Sequence, residues 1–345
     1  MSQKQHYVPQ FYMKYFSTDR ESELLSQKEA GKEYKLINVF RRNYNATEFG
    51  VPIKNQCQEN NIFGSEEDEN LISEFENIHA ITFQNILKNG VDNVNENDYK
   101  DLLVFVSVSY SRSKRVSKIV NQRATLWSDN LKDEIIEKNK NNIEKMTNMN
   151  DDISISVNKP YRCGLGEYKS ICRYWSLLKP FFLINKTSVD FVISDSPVVL
   201  YNSVFYNNHT NDDFDVSSPG IQVFVPITPK KYLILFDANY YKPPQNTETV
   251  RSNGNIKSNI YEIKNVYHVN QLNILQFCNA VDVVLFRKTD YIDRIQQYNH
   301  MVKQINIKFA ETIKKVEKGN SSLIGIGNTN YIPYKLKLPF LKPIK

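Results

Sequence analysis

The chain has 345 residues, of which 41% are hydrophobic and 24% are charged. This composition excludes an intrinsically disordered chain, because it offers enough apolar surface to build a core. The net charge of +6 permits a polyanionic partner without requiring one. No apolar run approaches the roughly 20 residues of a membrane span, and the four cysteines form no CxxC pair. We therefore expect a cytoplasmic protein without membrane contact and with reduced thiols.

The stretch QKQHYVPQFYMKYFS, which begins at residue 3, combines His6 with five aromatic residues. Pro9 disfavours a helix at Val8, so the first residues are predicted to be extended, with one or two helical turns from Gln10 onward. So much apolar surface is not left in water, and the segment is expected to dock onto the fold. A docked His6 would be held in place and could act as a general acid or base. The alternative is a surface histidine without a role.

Apolar periodicity predicts two amphipathic helices in the first part of the chain. The first is LISEFENIHAITFQNILKN, entered through the acidic SEEDEN, and the second is DYKDLLVFVSVSYSRSKRVSKIV, with Asp98 as its expected N-cap. A strand is predicted at 36–40. The polar stretch 128–152 is interpreted as a connection between a helical lobe, 1–127, and a second lobe, 153–345.

The second lobe alternates helices with apolar strands. A helix is predicted to run up to Pro180, followed by a buried strand in SVDFVISDSPVVLYN and a polar loop at 207–220. Two strands surround a turn between Pro226 and Pro229. A short helix then precedes a strand at 283–286, and a last helix spans 291–316. The fold class is therefore α+β, with a helix-rich N-terminal lobe and a small mixed β-sheet in the C-terminal half. The alternative is that the two lobes pack as one domain.

Two charged residues lie on apolar helix faces. Arg112 falls on the stripe of Ser109 and Val116, and Glu76 on the stripe of Ile72 and His79. A buried charge needs a partner, so the two helices are expected to share a bidentate ion pair. This pair is either a structural clasp or a site in which Arg112 faces an anion. His79 itself is interpreted as a core residue.

Asp195 stands where a buried strand gives way to the turn Ser194–Pro197. Binding and catalytic groups often occupy such positions, because the strand fixes the backbone while the turn exposes the side chains. In the simpler interpretation, Asp195 caps its own turn. The sequence contains no P-loop, dinucleotide fingerprint, HExxH or GxSxG motif, so the enzyme classes that these motifs mark are disfavoured.

Several motifs together resemble one family. The opening HYVPQFYMKYFS is similar to the HYVPQFYLxxF signature of the bacterial family catalogued as domain of unknown function 4238, and FVISDSPVV and FVPITPKKYLIL resemble its FxTSDxPV and PLxPxxxL elements. The helices that carry Glu76 and Arg112 also resemble their counterparts. The chain departs from the pattern at Ser109, where many relatives carry Gln, and at Ile193, where they carry Thr. The family pattern falls on His6, Pro9, Gln10, Glu76, Arg112, Ser194, Asp195, Pro197, Pro226 and Asn273.

These residues leave two functions open. The favoured one is an enzyme that processes nucleic acid or nucleotides, most simply a nuclease-like bacterial toxin or phage-defence effector. His6 would transfer protons, Arg112 would clamp phosphate, and Asp195 would orient His6 or, with Glu76, bind a divalent cation such as Mg or Mn. The groups that would bind RNA or another single-stranded nucleic acid are Tyr7, Gln10, Ser194 and Asn273. The alternative is a non-catalytic sensor or interaction module in which the same residues are structural.

Overall fold

The computed structural model describes residues 4–18, 35–91, 93–125, 157, 159–204, 215–243, 248–249, 259–304, 313–318, 321–326, 332 and 334–344. The predicted connection at 128–152 lies outside these residues, as does the part of the polar loop from 207 to 214. Among the described residues, no helix combines the length and the apolar character needed to cross a bilayer.

The first part of the chain contains short strands and long helices. Its elements are β1 (Lys4–His6), α1 (Gln10–Met13), β2 (Leu36–Arg41), β3 (Ala46–Pro52), β4 (Gln58–Asn60), α2 (Glu66–Asn89), α3 (Glu96–Ser111) and α4 (114–125). Single 3-10 turns follow α1 at Lys14–Phe16 and β3 at Ile53–Asn55. The predicted strand at 36–40, the helical turns after Gln10 and the first amphipathic helix are thereby confirmed.

The second part is richer in strands. Its elements are α5 (Pro160–Gly166), α6 (Tyr168–Trp175), β5 (Lys179–Asn185), β6 (Ile193–Ser194), β7 (Val199–Tyr201), β8 (Gln222–Thr228), β9 (Lys231–Phe236), β10 (Tyr241–Lys242), β11 (Glu248–Thr249), β12 (Asn259–Ile263), α7 (Val266–Asn279), β13 (Val283–Phe286), α8 (Ile292–Gln304), β14 (Ile313–Lys318), β15 (Ser321–Ile326) and β16 (Lys342–Pro343).

The strands form one large mixed sheet and several smaller ones. The six-stranded sheet has the order β11-β12-β5-β9-β8-β7, in which β12 and β5 are parallel and the other neighbours are antiparallel. A four-stranded sheet, β3-β2-β13-β6, pairs strands from both ends of the chain. The predicted α+β class, with a mixed sheet in the C-terminal half, is confirmed. Because β2 pairs with β13, backbone hydrogen bonds join the two predicted lobes.

Local capping explains where the two long helices begin. Ser65 and Asp68 form a capping box at the start of α2, and four acidic side chains in its first turn match the positive end of the helix dipole. In α3 the N-cap is Asn95, whose Oδ1 accepts the Asp98 backbone N–H at 2.8 Å. The prediction of Asp98 as the N-cap was therefore wrong, since Asp98 lies one turn inside the helix.

The predicted second helix is two helices in the structure. α3 ends at Ser111 and α4 starts at 114, with Arg112 as the C-cap of α3. The Ser113 hydroxyl accepts the Val116 backbone N–H at 3.3 Å and so caps the new helix. Gly164 of α5 packs against this break, and a Cβ there would lie 2.2 Å from the Ser111 carbonyl oxygen. A continuous apolar stripe through Arg112 was the wrong prediction, because a cap and a tertiary contact interrupt it.

Two further helix boundaries differ from the prediction. The helix predicted to reach Pro180 ends at Trp175, and Pro180 already belongs to β5, whose residues are mostly buried because it lies inside the large sheet. The last helix ends by Gln304 among the described residues, while residues 313–318 form β14, so the prediction of a helix to Val316 was wrong. β14 pairs antiparallel with β15, with Lys318 opposite Ser321.

The N-terminal aromatic segment docks into the core, as predicted. Tyr12 and Phe16 are fully buried, and the Tyr12 ring packs edge-on against Phe83 of α2 and Phe105 of α3. The Tyr12 hydroxyl donates a hydrogen bond to the carbonyl oxygen of Pro226 in β8. The segment thereby connects the helices to the large sheet, and this fixes the backbone on which His6 stands.

Candidate functional site

His6 is held in one orientation by two hydrogen bonds. Its Nε2 lies 3.1 Å from the Lys54 carbonyl oxygen, which can only accept, so Nε2 carries the proton. Nδ1 is then the acceptor for Gln10 Nε2, at 3.4 Å. Burial lowers the pKa of His6, with an added contribution from the Arg112 charge and an opposing one from Glu76. The imidazole is therefore neutral at pH 7, and its one ring lone pair, on Nδ1, accepts the Gln10 amide.

The predicted ion pair between the two long helices is confirmed. Arg112 Nη1 donates to Glu76 Oε1 at 2.9 Å; Arg112 is only 2% exposed, whereas Glu76 is 28% exposed. Arg112 Nε has no hydrogen-bond partner among the described residues, so the contact between the two side chains is a single bond rather than the bidentate fork expected. Burial lowers the pKa of Arg112, and the adjacent Glu76 opposes that effect.

A cavity of about 150 Å³ opens beside these groups. It is lined by residues of β1, of α2 and of the turn before α2, namely Lys4, Gln5, His6, Phe63, Glu69, Ile72, Ser73 and Glu76. Arg112 is absent from the lining and lies beneath Glu76. Its guanidinium therefore fixes the carboxylate, while Lys4, which is exposed, is the cation that faces the cavity.

Sequence reasoning overlooked four polar residues of the cavity, and the spacing of three of them carried a signal. Lys4 lies two residues before His6, on the same face of β1. Ser73 and Glu69 precede Glu76 by three and seven residues, which places all three on one face of α2. Gln5 bonds to Glu69 and also accepts the Phe63 N–H at 2.9 Å.

His79 belongs to the core rather than to the cavity. It is 2% exposed, its ring stacks on Phe75 with centroids 5.8 Å apart, and Phe105 meets it edge-on at 5.5 Å. Burial and the nearby Arg112 charge lower the pKa of His79 to about 3. The interpretation of His79 as a core histidine is confirmed, and the side chain stays neutral at pH 7.

The buried His79 makes stability depend on pH. The unfolded chain binds a proton at His79 near pH 6.5, whereas the folded chain does so only near pH 3, so stability falls as the pH drops below 6.5. From pH 7 to pH 5 we expect this residue alone to lower the free energy of unfolding by about 2 kcal/mol. Urea unfolding of His79→Gln should show a correspondingly flatter pH dependence. His300→Gln, which alters an exposed histidine, should retain the wild-type slope; equal slopes for all three proteins would contradict the prediction.

Asp195 is fully buried and engaged with backbone far along the chain. Its carboxylate accepts the N–H groups of Val281, Asp282 and Val283 at 2.9, 2.6 and 3.1 Å. Burial raises the pKa of Asp195, and these three hydrogen bonds oppose the rise. Among the described residues, the only other group bonded to this carboxylate is the adjacent Ser196 hydroxyl. Asp195 therefore caps the turn between α7 and β13 instead of its own turn, and it is not in hydrogen-bond contact with His6.

Ser194 and Asn273 serve the same connection. The Ser194 N–H and hydroxyl both donate to Gln276 Oε1, at 3.1 and 3.0 Å. Asn273 accepts the Val192 N–H at 3.1 Å and donates to the Asp190 carbonyl oxygen at 3.0 Å. Asn273, Gln276 and Asn279 are spaced three residues apart on α7. Their side-chain amides form a polar stripe that binds α7 to the 190–198 segment. The structure thus does not bring Ser194 and Asn273 into the cavity beside His6.

Tyr7 is buried against other side chains. It is 5% exposed, its ring stacks on Tyr161 with centroids 5.5 Å apart, and Lys114 Nζ lies 5.6 Å from its centroid. Lys114 also forms ion pairs with Glu59 and, at 3.1 Å, with Asp282. Tyr7 is therefore part of a packed cluster beside β1 and offers no free ring face for a base. Among the described residues, no group of three or more His, Cys, Asp or Glu side chains is placed to hold a metal ion.

Comparison with known proteins yields one match. The model of the family described as "Protein of unknown function (DUF4238)" matches residues 4–290, which contain His6, Glu76, Arg112 and Asp195 and exclude β14, β15 and β16. No curated protein and no solved structure matches the chain.

Proposed function

The chain belongs to the DUF4238 family, and from its site we propose that it is a nucleic-acid- or nucleotide-processing hydrolase whose reaction takes place in the cavity between His6 and Glu76. The biological role we propose with it is that of a nuclease-like bacterial toxin or phage-defence effector. The observation that carries the proposal is a neutral, oriented imidazole that lines the same cavity as a carboxylate fixed by a buried arginine.

Hydrolysis of a phosphodiester needs a base for the attacking water and an acid for the leaving oxygen. In the proposed mechanism, the Gln10 amide first turns away from His6 Nδ1. The freed Nδ1 lone pair then takes a proton from water as the water oxygen bonds to phosphorus. The Glu76 carboxylate stabilises the resulting imidazolium, which then returns the proton to the leaving oxygen as its bond to phosphorus breaks. Arg112 acts as a positioning residue, because it holds Glu76 without lining the cavity.

The charges around the cavity restrict how a substrate would enter. Lys4 is the cation of the lining, whereas Glu69 and Glu76 are both acidic. Two carboxylates repel a phosphate, so we propose that the scissile phosphate binds at the Lys4 side, where the ammonium group offsets its charge. In this proposal a divalent cation such as Mg or Mn enters bound to the substrate phosphate, whose charge it offsets. The cleavage assay is therefore run with and without the cation.

Labelled single-stranded RNA, single-stranded DNA and duplex DNA are the substrates for the test. His6→Ala should lower kcat/KM by at least about 100-fold, the usual scale for losing a general acid–base. Its melting temperature should stay close to that of the wild type. Because the neutral imidazole is the active form and burial lowers the pKa of His6, the wild-type rate should fall on the acid side only below pH 6.5.

His300→Ala is the matched control for His6→Ala, since His300 is an exposed histidine on α8. Full activity in this variant is expected. Cleavage by the His6→Ala variant at the wild-type rate would rule out the proposed mechanism, and turnover of none of the three substrates by the wild type would rule out nuclease activity.

The second candidate is a non-catalytic sensor or interaction module. It is favoured by the positions of Asp195, Ser194 and Asn273, whose polar groups all satisfy backbone or side-chain partners inside the fold. In that case the wild type cleaves no substrate, and His6→Ala alters stability or partner binding alone.

A further inference from the structure

A second cavity, of about 420 Å³, lies at the C-terminal end of the described chain. One wall is the C-terminal strap, which we define as residues 334–344; the opposite wall comes from β7, β8 and the start of α7. The cavity shares no lining residue with the one beside His6. The strap also lies beyond residue 290, where the family match ends, so this cavity combines family residues with a segment outside the match.

The strap is fixed to the body of the protein. Phe340 is fully buried, stacks on Phe181 with centroids 6.0 Å apart and packs against Tyr261 at 5.0 Å. The Leu336 N–H donates to the Tyr201 hydroxyl at 3.1 Å, and β16 pairs with β10. These contacts hold the backbone of the lining in place before any ligand arrives, which reduces the entropy lost on binding.

The lining of this cavity is basic. It contains Lys335, Lys337 and Lys342, and no aspartate or glutamate. His268, in the first turn of α7, adds a neutral imidazole, because burial lowers its pKa, at a helix end that carries partial positive charge. Basic groups along a concave wall concentrate anions, so this cavity fits a negatively charged ligand far better than a cation.

The remaining lining is apolar, with Tyr201 and Phe224 on the sheet side and Leu336, Leu338 and Leu341 on the strap. A volume of about 420 Å³ is in the range of small-molecule sites. Ser203 and Gln222 also line the cavity as neutral polar residues, and the Ser203 hydroxyl donates to Gln222 Oε1 at 3.3 Å. From this combination we propose that the cavity under the C-terminal strap binds a nucleoside phosphate, with the base against the apolar wall and the phosphates on the strap lysines. The proposal goes beyond the hydrolase function and does not depend on it.

Fluorescence anisotropy of N-methylanthraniloyl-ATP on the full chain tests this site. We expect the probe to bind saturably and ATP to displace it. Adenosine carries only the nucleoside and inorganic triphosphate only the phosphates, so each should displace the probe less well than ATP. Changing all three strap lysines to glutamine (Lys335→Gln, Lys337→Gln, Lys342→Gln) should weaken binding about tenfold or more, the scale of removing three partly exposed charge contacts.

The matched control changes Lys88, Lys179 and Lys264 to glutamine, which removes the same net charge from exposed positions outside the cavity. This control should bind within about twofold of the wild type. Leu338→Trp, which fills the cavity without a change of charge, should weaken binding as well, and its melting temperature verifies the fold. Equal losses in the two lysine triples, an unaltered affinity of Leu338→Trp, or the absence of saturable binding would each overturn the proposal. His6→Ala should bind the probe normally, so failure here and failure of the hydrolase proposal are distinguishable.

Discussion

Replacing Asp195 by alanine is expected to lower the free energy of unfolding by roughly 4 kcal/mol. The change removes the common acceptor of three backbone N–H groups and leaves them without a partner in the turn before β13. Hydrogen bonds to a charged acceptor are among the stronger ones, and buried donors without an acceptor are unfavourable. Urea denaturation followed by far-UV circular dichroism measures the effect.

Asp282→Asn is the control for this substitution, because Asp282 is the neighbouring carboxylate, with a side chain 41% exposed and paired to Lys114 on the surface. We expect a change of less than about 1 kcal/mol there. Any activity of Asp195→Ala should fall only in proportion to the folded fraction. A variant that stays as stable as the wild type while losing all turnover would restore Asp195 to a catalytic role.

Replacing Arg112 by alanine is expected to cost about 3 kcal/mol of stability. The substitution leaves a cavity where a fully buried side chain stood and removes the cation that fixes the Glu76 carboxylate. Glu76 keeps contact with solvent, which holds the loss below that of a fully buried charge. Arg112→Met, which keeps much of the volume, separates the packing contribution from the charge contribution.

Arg41→Gln is the matched control for Arg112→Ala. Arg41 forms an ion pair with Glu48 on β3, but both side chains are more than a third exposed, at 36% and 41%, so solvent screens the pair. We expect a change of less than about 1 kcal/mol. A similar small change for Arg112→Ala would mean that the interhelical pair contributes little to the fold.

Variants of Arg112 and Glu76 also test the proposed function. If Arg112 positions Glu76, Arg112→Met should lower kcat, because the imidazolium of His6 loses its oriented counterion. The same change should alter the acid limb of the pH–rate profile. A purely structural arginine would move the melting temperature and leave the pH profile unchanged. Glu76→Gln, measured alongside, should show the same altered profile if both residues act through His6.

How well the sequence predicted each element depended on the range of the interactions that fix it. The apolar spacing along α2 placed Ile72, His79 and Phe83 on one buried face, as the structure has them, because helical periodicity is a local property. The Glu76–Arg112 pair was predictable for a related reason: a charge on an apolar face requires a partner, and two adjacent helices offered one of each sign. The docking of the aromatic N-terminal segment followed from its composition alone.

The wrong predictions concern features that are determined by contacts between segments far apart in the chain. The break after Ser111 depends on the close approach of Gly164, more than 50 residues later in the chain. Asp195 was expected to cap its own turn or to face His6, and it instead caps a turn that is 86 to 88 residues away. A local pattern cannot specify which backbone a buried carboxylate will meet, since that depends on how β6 and β13 pair.

By itself, the sequence determined the α+β class, the first amphipathic helix, the buried N-terminus and the chemical types in the candidate site. Periodicity, composition and the energetic penalty of burying charge act over a few residues or a single helix face, so they can be read locally. Only the tertiary structure decided which of those residues share a cavity. It placed His6 with Glu76 through the pairing of β1 with β4 and the packing of α1 against α2, and it assigned Asp195, Ser194 and Asn273 to the interior. The hydrogen bond to the Lys54 carbonyl then set the proton position on His6, and burial lowered its pKa, since both act only in the folded chain.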